Sequence, residues 1–363
     1  MYETTGILYG FKEPVIRKIT FDKNEALENH CLCYLQKMSN KVTLTNDAKT
    51  EKCEIISSSF ELNQGDILLV EPKGKITKIY DVTSKSNSLF ITEECNCRCQ
   101  TCPQPPVITD SLPWAQFAKL IVKLIDNKPK WIGITGGEPT IKWDELIEVL
   151  KLIDYYLPDS AIQLLSNSRI FSEFKKAELL SPYCNKLIIG TALFSDVDEI
   201  HDAAMGKKGS FWETISGLHN LERFGIPIEI RIVLSSISVK RLPQLAEFIY
   251  KNIPFVHHVA FMGFEPIGNG LKNFKKLWID PLEFNNILLK SVKVLHSRNI
   301  KSVLFNLQPC LVDKKLHQIL MNSISEWKIC YDDECNGCSA LNSCGGIFNS
   351  AVYYLNKSIK ALP

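Results

Sequence analysis

Four cysteines crowd into one eight-residue loop, CNCRCQTC at residues 95–102, directly after the apolar run 88–92. Cys95, Cys99 and Cys102 stand there at C-x3-C-x2-C spacing. Three thiolates can bind three irons of a four-iron four-sulfur (4Fe-4S) cluster, whereas ferredoxin-type clusters take four cysteine ligands. The fourth iron would therefore lack a protein ligand. Because metal sites with an open coordination position are usually catalytic and closed ones structural, this loop predicts a reactive metal centre.

Zinc is the alternative metal for this loop. A zinc site would need a fourth ligand in tetrahedral geometry. Cys97 is close by, but within CNCRC it would crowd its neighbours, and zinc would leave the polar residues after the other predicted strands without a role. We therefore expect that Cys97 is not a ligand.

A second candidate turn, GGEPT, follows the predicted strand 131–135. Gly136 and Gly137 can expose backbone groups to a ligand because no Cβ blocks the approach. Glu138 follows them, and Pro139 stiffens the exit from the turn. In isolation such a turn is more often just a tight loop. One βα unit downstream of the cysteine loop, it indicates a ligand site.

Both turns lie in a segment where apolar strands alternate with amphipathic helices, which predicts βα units and a mostly parallel sheet. Apolar side chains recur at helical spacing, for example at Leu146, Leu150 and Ile153. The candidate residues follow strands, at the carboxyl edge where βα loops build sites in barrels. We therefore expect an α/β fold, a partial (β/α)6 barrel of the TIM type rather than a doubly wound sheet. The predicted strands are residues 88–92, 131–135, 161–165, 186–190, 228–234, 258–262 and 302–307.

The regions on either side of this segment differ from it in composition. Residues 1–86 contain short β-like runs separated by Gly, Asn, Asp and Lys clusters, which predicts a small β-rich N-terminal domain. Its predicted strands are residues 15–20, 30–35, 53–60, 66–70 and 75–80. This domain could bind a peptide by strand addition to a free sheet edge, or it could only cap the barrel. Residues 87–307 then form the barrel, and residues 308–363 form a cysteine-rich extension.

The extension contains five cysteines, which are too many for packing alone. Cys335, Cys338 and Cys344 stand at C-x2-C-x5-C spacing, with Cys310 and Cys330 upstream. Thiolates spaced in this way suit either zinc or an iron–sulfur cluster. The spacing alone favours zinc.

Composition and charge argue against several classes of protein. The 363 residues carry a formal net charge of +2 with scattered Lys and Arg, so nucleic acid is not expected as a principal partner. No apolar stretch approaches the roughly 20 residues that span a bilayer, and the N-terminus lacks a secretory pattern. The chain has thirteen cysteines, and nine of them cluster in two segments, which argues for metal binding rather than disulfides. We expect a cytoplasmic protein with no membrane partner.

The cysteine loop and the GGEP turn together resemble the radical S-adenosylmethionine (SAM) superfamily, over about residues 88–307. The resemblance implies that Cys95, Cys99 and Cys102 are catalytic and bind a 4Fe-4S cluster, with the amino and carboxylate groups of SAM on the open iron. It implies that reductive cleavage of SAM yields a 5′-deoxyadenosyl radical. It also implies that the turn at residues 136–139 packs against the methionine amino group.

Looser matches to the superfamily add further candidate residues. Ser166 and Asn167 follow the third predicted strand, where the family often places polar groups near SAM. Arg231, on the fifth, could bind the SAM carboxylate bidentately, or could form a salt bridge across the barrel mouth. His201 and Asp202 lie in a loop that resembles one of peptide-modifying members, although a helix cap is the expected role.

The C-terminal spacing resembles the auxiliary-cluster extension called SPASM or twitch, found in radical enzymes that modify ribosomal peptides. Because the last cysteines of the two-cluster pattern are absent after Cys344, the shortened one-cluster form is expected. The resemblance implies a second 4Fe-4S cluster. Its implied ligands are Cys310, Cys335, Cys338 and Cys344, with Cys330 as the substitute for Cys310.

Several strings resemble one group within the superfamily, the radical SAM maturases of His-Xaa-Ser systems (HxsC), among them NSLFITEECNCRCQTCPQPP, HHVAFMGFEPIGNG and CGGIFNS. The chain departs from that group at GTALFSD and at the additional Cys330. The resemblance implies a ribosomally made precursor peptide with His-Xaa-Ser repeats as substrate. It further implies a paired radical SAM maturase, a small partner protein, and a flavodoxin or ferredoxin as reductant. The alternatives are a radical SAM enzyme that acts on a small molecule or RNA, and a zinc-binding scaffold without catalysis.

Overall fold

The described strands of this computed structural model form three sheets. The first lies in the N-terminal region, the second is a long α/β sheet, and the third is a short ribbon near the C-terminus. The structure describes residues 2–9, 12–22, 31–38, 41–45, 52–55, 61–324, 328–355 and 358–363.

The N-terminal strands close into a small barrel in the order β1-β5-β4-β3-β2-β6-β7. The first strand closes it, because one half of β1 pairs with β5 and the other half with β7. The strands are β1 (Tyr2–Tyr9), β2 (Val15–Thr20), β3 (Leu32–Met38), β4 (Lys41–Thr45), β5 (Lys52–Ile55), β6 (Ile67–Val70) and β7 (Lys75–Tyr80).

Barrel closure corrects one expectation. A closed barrel removes edge strands, so the described strands offer no free edge here for peptide addition, and that hypothesis is wrong for this region. The β-rich composition was sufficient to predict most of these strands but not β1 or β4, whose sequences are rich in polar and charged residues. The end of the predicted strand at residues 56–60 lies outside the described residues.

The second sheet has eight strands in the order β15-β14-β13-β12-β11-β10-β9-β8. Parallel registers join β8 to β9 and run without interruption from β11 to β15. The α/β class is therefore confirmed, with one short strand, β15, beyond those predicted. The strands are β8 (Asn87–Phe90), β9 (Trp131–Thr135), β10 (Ala161–Leu165), β11 (Leu187–Ala192), β12 (Ile228–Val233), β13 (His258–Met262), β14 (Ser302–Phe305) and β15 (Leu320–Met321).

Helices connect these strands and bury the apolar faces that their periodicity predicts. Leu146, Leu150 and Ile153 are fully buried, as is Leu288. None of the helices in the described part of the chain has the length and apolar character that a bilayer crossing requires. The helices are α1 (Trp114–Leu124), α2 (Trp143–Tyr156), α3 (Phe174–Glu178), α4 (Asp198–Met205), α5 (Ser210–Arg223), α6 (Ser236–Val239), α7 (Leu242–Asn252), α8 (Gly268–Lys272), α9 (Phe274–Leu277), α10 (Pro281–His296) and α11 (Val352–Leu355).

The chain divides into two compact units. The first comprises Met1–Glu93 and Thr109–Ile162, and it contains the small barrel and the GGEP turn. The second comprises Glu94–Ile108 and Gln163–Pro363, and it contains both cysteine-rich segments. The division at residues 86 and 307 stays a prediction.

The third sheet belongs to the second unit and consists of β16 (Ile329–Cys330) and β17 (Ile347–Phe348), which are antiparallel. Around it lies a small apolar core that includes Leu311, Ile347 and Ile359. Short 3-10 turns, rather than long helices, carry the chain past the C-terminal cysteines.

Candidate active site

The four cysteines of the first loop differ in exposure. Cys97 is only 2% exposed, whereas Cys95, Cys99 and Cys102 are partly exposed. The Cys97 sulfur lies 3.6 Å from Asn167 Nδ2 and 3.5 Å from Arg169 Nη1. The buried thiol of Cys97 is thus surrounded by protein donors, which distinguishes it from the three thiols at C-x3-C-x2-C spacing.

The end of α4 holds one side of the loop. The Arg98 backbone N–H donates to the Met205 carbonyl oxygen at 2.9 Å, and the Gln100 N–H donates to Ala204 at 2.8 Å. Gly206 ends the helix with φ +65°, and a Cβ there would lie 2.7 Å from the Arg98 carbonyl oxygen. Only glycine combines this backbone angle with this close approach.

The start of α8 holds the other side of the loop. Asn269 donates from its backbone N–H to the Cys102 carbonyl at 2.8 Å and from Nδ2 to the Cys99 carbonyl at 3.1 Å. Gly268 has φ +55°, and a Cβ there would lie 2.7 Å from the Cys102 carbonyl oxygen. Asn273 Nδ2 donates to the Gln100 carbonyl at 3.1 Å.

Sequence analysis did not assign a role to Gly268, Asn269 or Asn273. The string G-N-G just after β13 was the available signal, because the carboxyl ends of parallel strands are where sites form. Its function could not be deduced without knowing that α8 contacts the cysteine loop. These residues form, with the end of α4, a cradle for the loop, which we name the loop cradle.

The thiols of the loop have distinct surroundings. Cys99 Sγ lies 3.5 Å from the sulfur of Met205, and Cys102 Sγ lies 2.9 Å from the Gln104 carbonyl oxygen, to which its proton is donated. Burial raises the pKa of Cys102. Metal binding would replace the thiol proton, so a metal and a proton compete at this sulfur.

The GGEP turn lies in the first unit and is fastened to the end of β8. A Cβ on Gly136 would lie 2.5 Å from the Thr92 carbonyl oxygen, and the Gly137 N–H donates to that same oxygen at 2.7 Å. Glu138 is buried and accepts hydrogen bonds from the Thr140 N–H and hydroxyl. Gly136 is thus required for packing against the neighbouring strand, a structural reason that the sequence did not reveal.

Ser166 and Asn167 both follow β10, as predicted. The Ser166 hydroxyl accepts from the Ser168 N–H at 3.0 Å. The Asn167 side chain donates to Asn96 Oδ1 at 2.7 Å and accepts from the Arg169 N–H at 3.1 Å. The structure therefore places the Asn167 carboxamide on the cysteine loop, and its predicted contact with SAM stays a prediction.

Arg231 forms a salt bridge, which was one of the two alternatives for it. Its Nη1 lies 3.2 Å from Oε1 of Glu229, a carboxylate only 1% exposed that also accepts from Gln163 Nε2 at 2.6 Å. The pair lies along one face of β12, not across the barrel mouth. Gly190 on β11 makes room for it, since a Cβ there would lie 3.2 Å from Arg231 Cδ.

His201 and Asp202 have structural roles. The carboxylate of Asp202 accepts hydrogen bonds from the N–H groups of Gly209 and Phe211 at the start of α5, which confirms a helix cap. Burial lowers the pKa of His201 to about 4, and its Nδ1 accepts from the Phe194 N–H at 3.3 Å. His201 is therefore neutral near pH 7.

The C-terminal cysteines form a second thiol site. Cys310, Cys335, Cys338 and Cys344 line one pocket, which we name the thiol pocket. Its empty volume is about 380 Å³, including open solvent. Cys330 does not line it, and its Sγ lies 3.5 Å from the Ile347 carbonyl oxygen. Burial raises the pKa of Cys310 and of Cys344.

The spacing of the thiols in the thiol pocket indicates whether they suit a single metal ion or an iron–sulfur cluster. Among the described residues, no three His, Cys, Asp or Glu side chains are grouped closely enough to hold a single ion. In an iron–sulfur cluster each thiolate binds a different iron, so the ligands surround a larger group than one zinc ion. Four thiols that line one pocket fit such a cluster. None of the cysteines whose side chains are described forms a disulfide.

Comparison with known families identifies the central segment. Residues 89–249 match the family described as Radical SAM superfamily. This family uses a 4Fe-4S cluster and SAM.

Two relatives illustrate the range of similar proteins. One is the antilisterial bacteriocin subtilosin biosynthesis protein AlbA of Bacillus subtilis, 27% identical over 160 residues, which cover 43% of this chain and 35% of AlbA. The other is GTP 3′,8-cyclase of Sulfurimonas denitrificans, 35% identical over 189 residues, which cover 50% of this chain and 57% of the cyclase. The chain therefore spans about a third of the one relative and just over half of the other.

A solved structure also resembles this fold. Streptococcus suis SuiB bound to the precursor peptide SuiA superposes with a TM-score of 0.49 at 14% identity. The superposition covers 60% of this chain and 48% of SuiB.

Proposed function

We propose that the protein is a radical SAM enzyme that binds a 4Fe-4S cluster through Cys95, Cys99 and Cys102 and modifies a peptide. The main support for this proposal is the difference in exposure between Cys97 and the other three cysteines of the loop. Three cysteines are partly exposed, and Cys97 is buried among protein donors. Three soft thiolates on an anchored loop fit a cluster that keeps one iron open for SAM.

Cys95, Cys99 and Cys102 would hold the cluster, which when bound and reduced would supply the electron for reductive cleavage of SAM and so for hydrogen abstraction from the substrate. The residues of the chain hold the cysteine loop in position. The loop cradle fixes the main chain on both sides of Cys99 through Asn269 and Gln100. Because the loop carbonyls are already satisfied, the thiols can keep one orientation with little loss of entropy on metal binding.

Arg231 is the proposed partner of the SAM carboxylate. Among the described residues its guanidinium donates a hydrogen bond only to Glu229, so further N–H groups are available for a carboxylate. Glu229 holds the guanidinium on the face of β12. We propose Ser166 and Asn167, together with the turn at residues 136–139, as the remaining SAM contacts.

The proposed substrate is a ribosomally made precursor peptide with His-Xaa-Ser repeats. Two observations support a peptide: the thiol pocket, which fits an auxiliary cluster of the SPASM or twitch kind, and the likeness to AlbA, whose name describes bacteriocin biosynthesis. We propose that a paired radical SAM maturase, a small partner protein and a flavodoxin or ferredoxin act with it. The likeness to GTP 3′,8-cyclase supports a second candidate, a radical SAM enzyme that acts on a small molecule.

The test has two stages. Anaerobically purified protein should contain iron and sulfide and should release 5′-deoxyadenosine from SAM when dithionite is added. A colourless, zinc-only protein that releases none would contradict the enzyme proposal.

Mass spectrometry then decides the substrate. A His-Xaa-Ser repeat peptide coexpressed with this protein and its paired maturase should change in mass, and the same peptide coexpressed with the Cys99→Ala variant should not. An unmodified peptide, together with turnover of GTP or another small molecule, would favour the second candidate.

A further inference from the structure

Residues 358–363 run along the thiol pocket. Ile359, Lys360 and Leu362 line it beside the cysteines. The backbone N–H of Leu362 donates to Cys338 Sγ at 3.3 Å. We call residues 358–363 the strap.

The strap is fastened at both ends. The Ser339 N–H donates to the Leu362 carbonyl oxygen at 3.1 Å, which pairs the strap with the chain next to Cys338. Ser358 donates from its hydroxyl to Asp280, and Ile359 is buried in the small C-terminal core. The Leu362 N–H is therefore held in place by contacts that do not involve the sulfur.

A second backbone donor contacts a pocket thiol from a different segment. The Gly346 N–H donates to Cys344 Sγ at 3.4 Å. Gly346 has φ +71°, and its carbonyl oxygen accepts from Nε2 of the buried Gln308 at 2.7 Å. Cys338 and Cys344 thus each accept a backbone N–H.

Hydrogen bonds to sulfur and shielding from solvent are two of the main determinants of the reduction potential of an iron–sulfur cluster. A donor stabilises the more negative, reduced cluster more than the oxidised one, so it raises the potential. A backbone N–H is insensitive to side-chain changes at its own position, except to proline, which has no N–H.

We propose that the strap sets the reduction potential of a cluster bound by Cys310, Cys335, Cys338 and Cys344, through the N–H group of Leu362. This inference rests on the proposed second cluster. It takes Cys310 rather than Cys330 as the fourth ligand, because Cys310 lines the pocket beside the strap, whereas the Cys330 sulfur contacts a β17 carbonyl.

The matched variants are Leu362→Pro, Leu362→Ala and Ala361→Pro in the full chain. Leu362→Pro removes the donor to Cys338, and Leu362→Ala removes the same side chain but keeps the N–H. Ala361→Pro places proline in the strap at an N–H that makes no hydrogen bond to a described residue. Redox titration followed by electron paramagnetic resonance measures the potential, and the first cluster is recognised by the change in its spectrum when SAM is added.

Leu362→Pro should decrease the equilibrium constant for reduction of the second cluster by about tenfold, which is 59 mV for one electron. Leu362→Ala and Ala361→Pro should each change it much less. Equal shifts in Leu362→Pro and Ala361→Pro would overturn the inference.

If Leu362→Pro loses the second cluster, a measurement on the wild-type protein still tests the N–H donor. In D2O, electron–nuclear double resonance should detect exchangeable deuterons close to the second cluster, and their absence would overturn the inference. Iron analysis separates this failure from that of the proposed function. Wild-type protein with about four irons rather than about eight would refute the second cluster itself.

Discussion

Asn269 binds two carbonyl oxygens of the cysteine loop at once, donating from Nδ2 to Cys99 at 3.1 Å and from its backbone N–H to Cys102 at 2.8 Å. The two residues joined by the side-chain bond are 170 positions apart in the chain. This single side chain therefore couples the geometry of the proposed cluster ligands to the loop after β13.

Asn269→Ala should weaken metal retention without unfolding the protein. The variant leaves the Cys99 carbonyl without its side-chain donor, which costs about 1 to 3 kcal/mol if the carbonyl stays buried. We expect faster loss of iron to a chelator and weaker SAM binding. Asn252→Ala is the matched control, because Asn252 also donates to a carbonyl, that of Phe248, but at an exposed helix end. Equal iron loss in both variants would contradict the role of Asn269.

Cys99→Ala and Cys97→Ala should separate the ligand thiols from the packed one. Cys99→Ala should abolish release of 5′-deoxyadenosine, because it removes an iron ligand. Cys97→Ala should keep most of it and lower thermal stability slightly, because it removes a buried sulfur and its contacts with Asn167 and Arg169. A comparable loss of activity in both variants would refute the ligand assignment.

Cys310→Ala and Cys330→Ala test the fourth ligand of the thiol pocket. Cys310 lines the pocket and Cys330 does not, so only Cys310→Ala should reduce the iron content. Cys310→Ala should still cleave SAM but should not modify the peptide if the second cluster serves turnover. Inductively coupled plasma analysis measures the iron content of each variant. If only Cys330→Ala lost iron, Cys330 and not Cys310 would be the fourth ligand.

Arg231→Met should destabilise the protein more than the double variant Glu229→Gln/Arg231→Met. The single change leaves the nearly buried Glu229 carboxylate without its cation, at a cost of about 3 kcal/mol, and the double change removes both charges. Denaturant unfolding measures this difference. Both variants should bind SAM more weakly if Arg231 meets its carboxylate. Full SAM affinity in the stably folded double variant would restrict Arg231 to a structural role.

Asp202→Ala should lower stability by about 1 kcal/mol near pH 7, because it removes the cap of α5. Burial alone would raise the pKa of the Asp202 carboxyl, but hydrogen bonds from Phe211, Gly209 and Ser210 lower it below its ordinary value. The stabilisation is therefore present above the pKa of the unfolded chain and is lost as pH falls through the lower folded-state pKa.

Thermal unfolding of wild type and Asp202→Ala from pH 7 down to pH 3 tests this dependence. The difference between the two proteins should shrink below about pH 4, where the carboxyl begins to protonate in the unfolded chain. Asp159→Ala, at an exposed turn, is the control and should show no such trend. A difference that stays constant with pH would contradict the capping role.

The amino-acid sequence by itself determined the features that depend on neighbours along the chain. Alternating apolar runs predicted seven of the strands of the α/β sheet, because side-chain periodicity is a local property. Cysteine spacing predicted that three thiols of the loop act together and that Cys97 is not a ligand. Spacing is also a local property, because residues within one loop constrain each other directly. Strands β1, β4 and β15 lack a strong local pattern and were not predicted.

Only the tertiary structure decided which distant residues meet. Barrel closure depends on β1 pairing with both β5 and β7, and no local pattern reports such a register. The Asn269 side chain binds a carbonyl 170 positions away, and no local pattern reports such a pairing. Leu362 binds Cys338 through its backbone N–H, a group that leaves no trace in side-chain type. These contacts arise when helices and loops pack, and for that reason they became visible only in three dimensions.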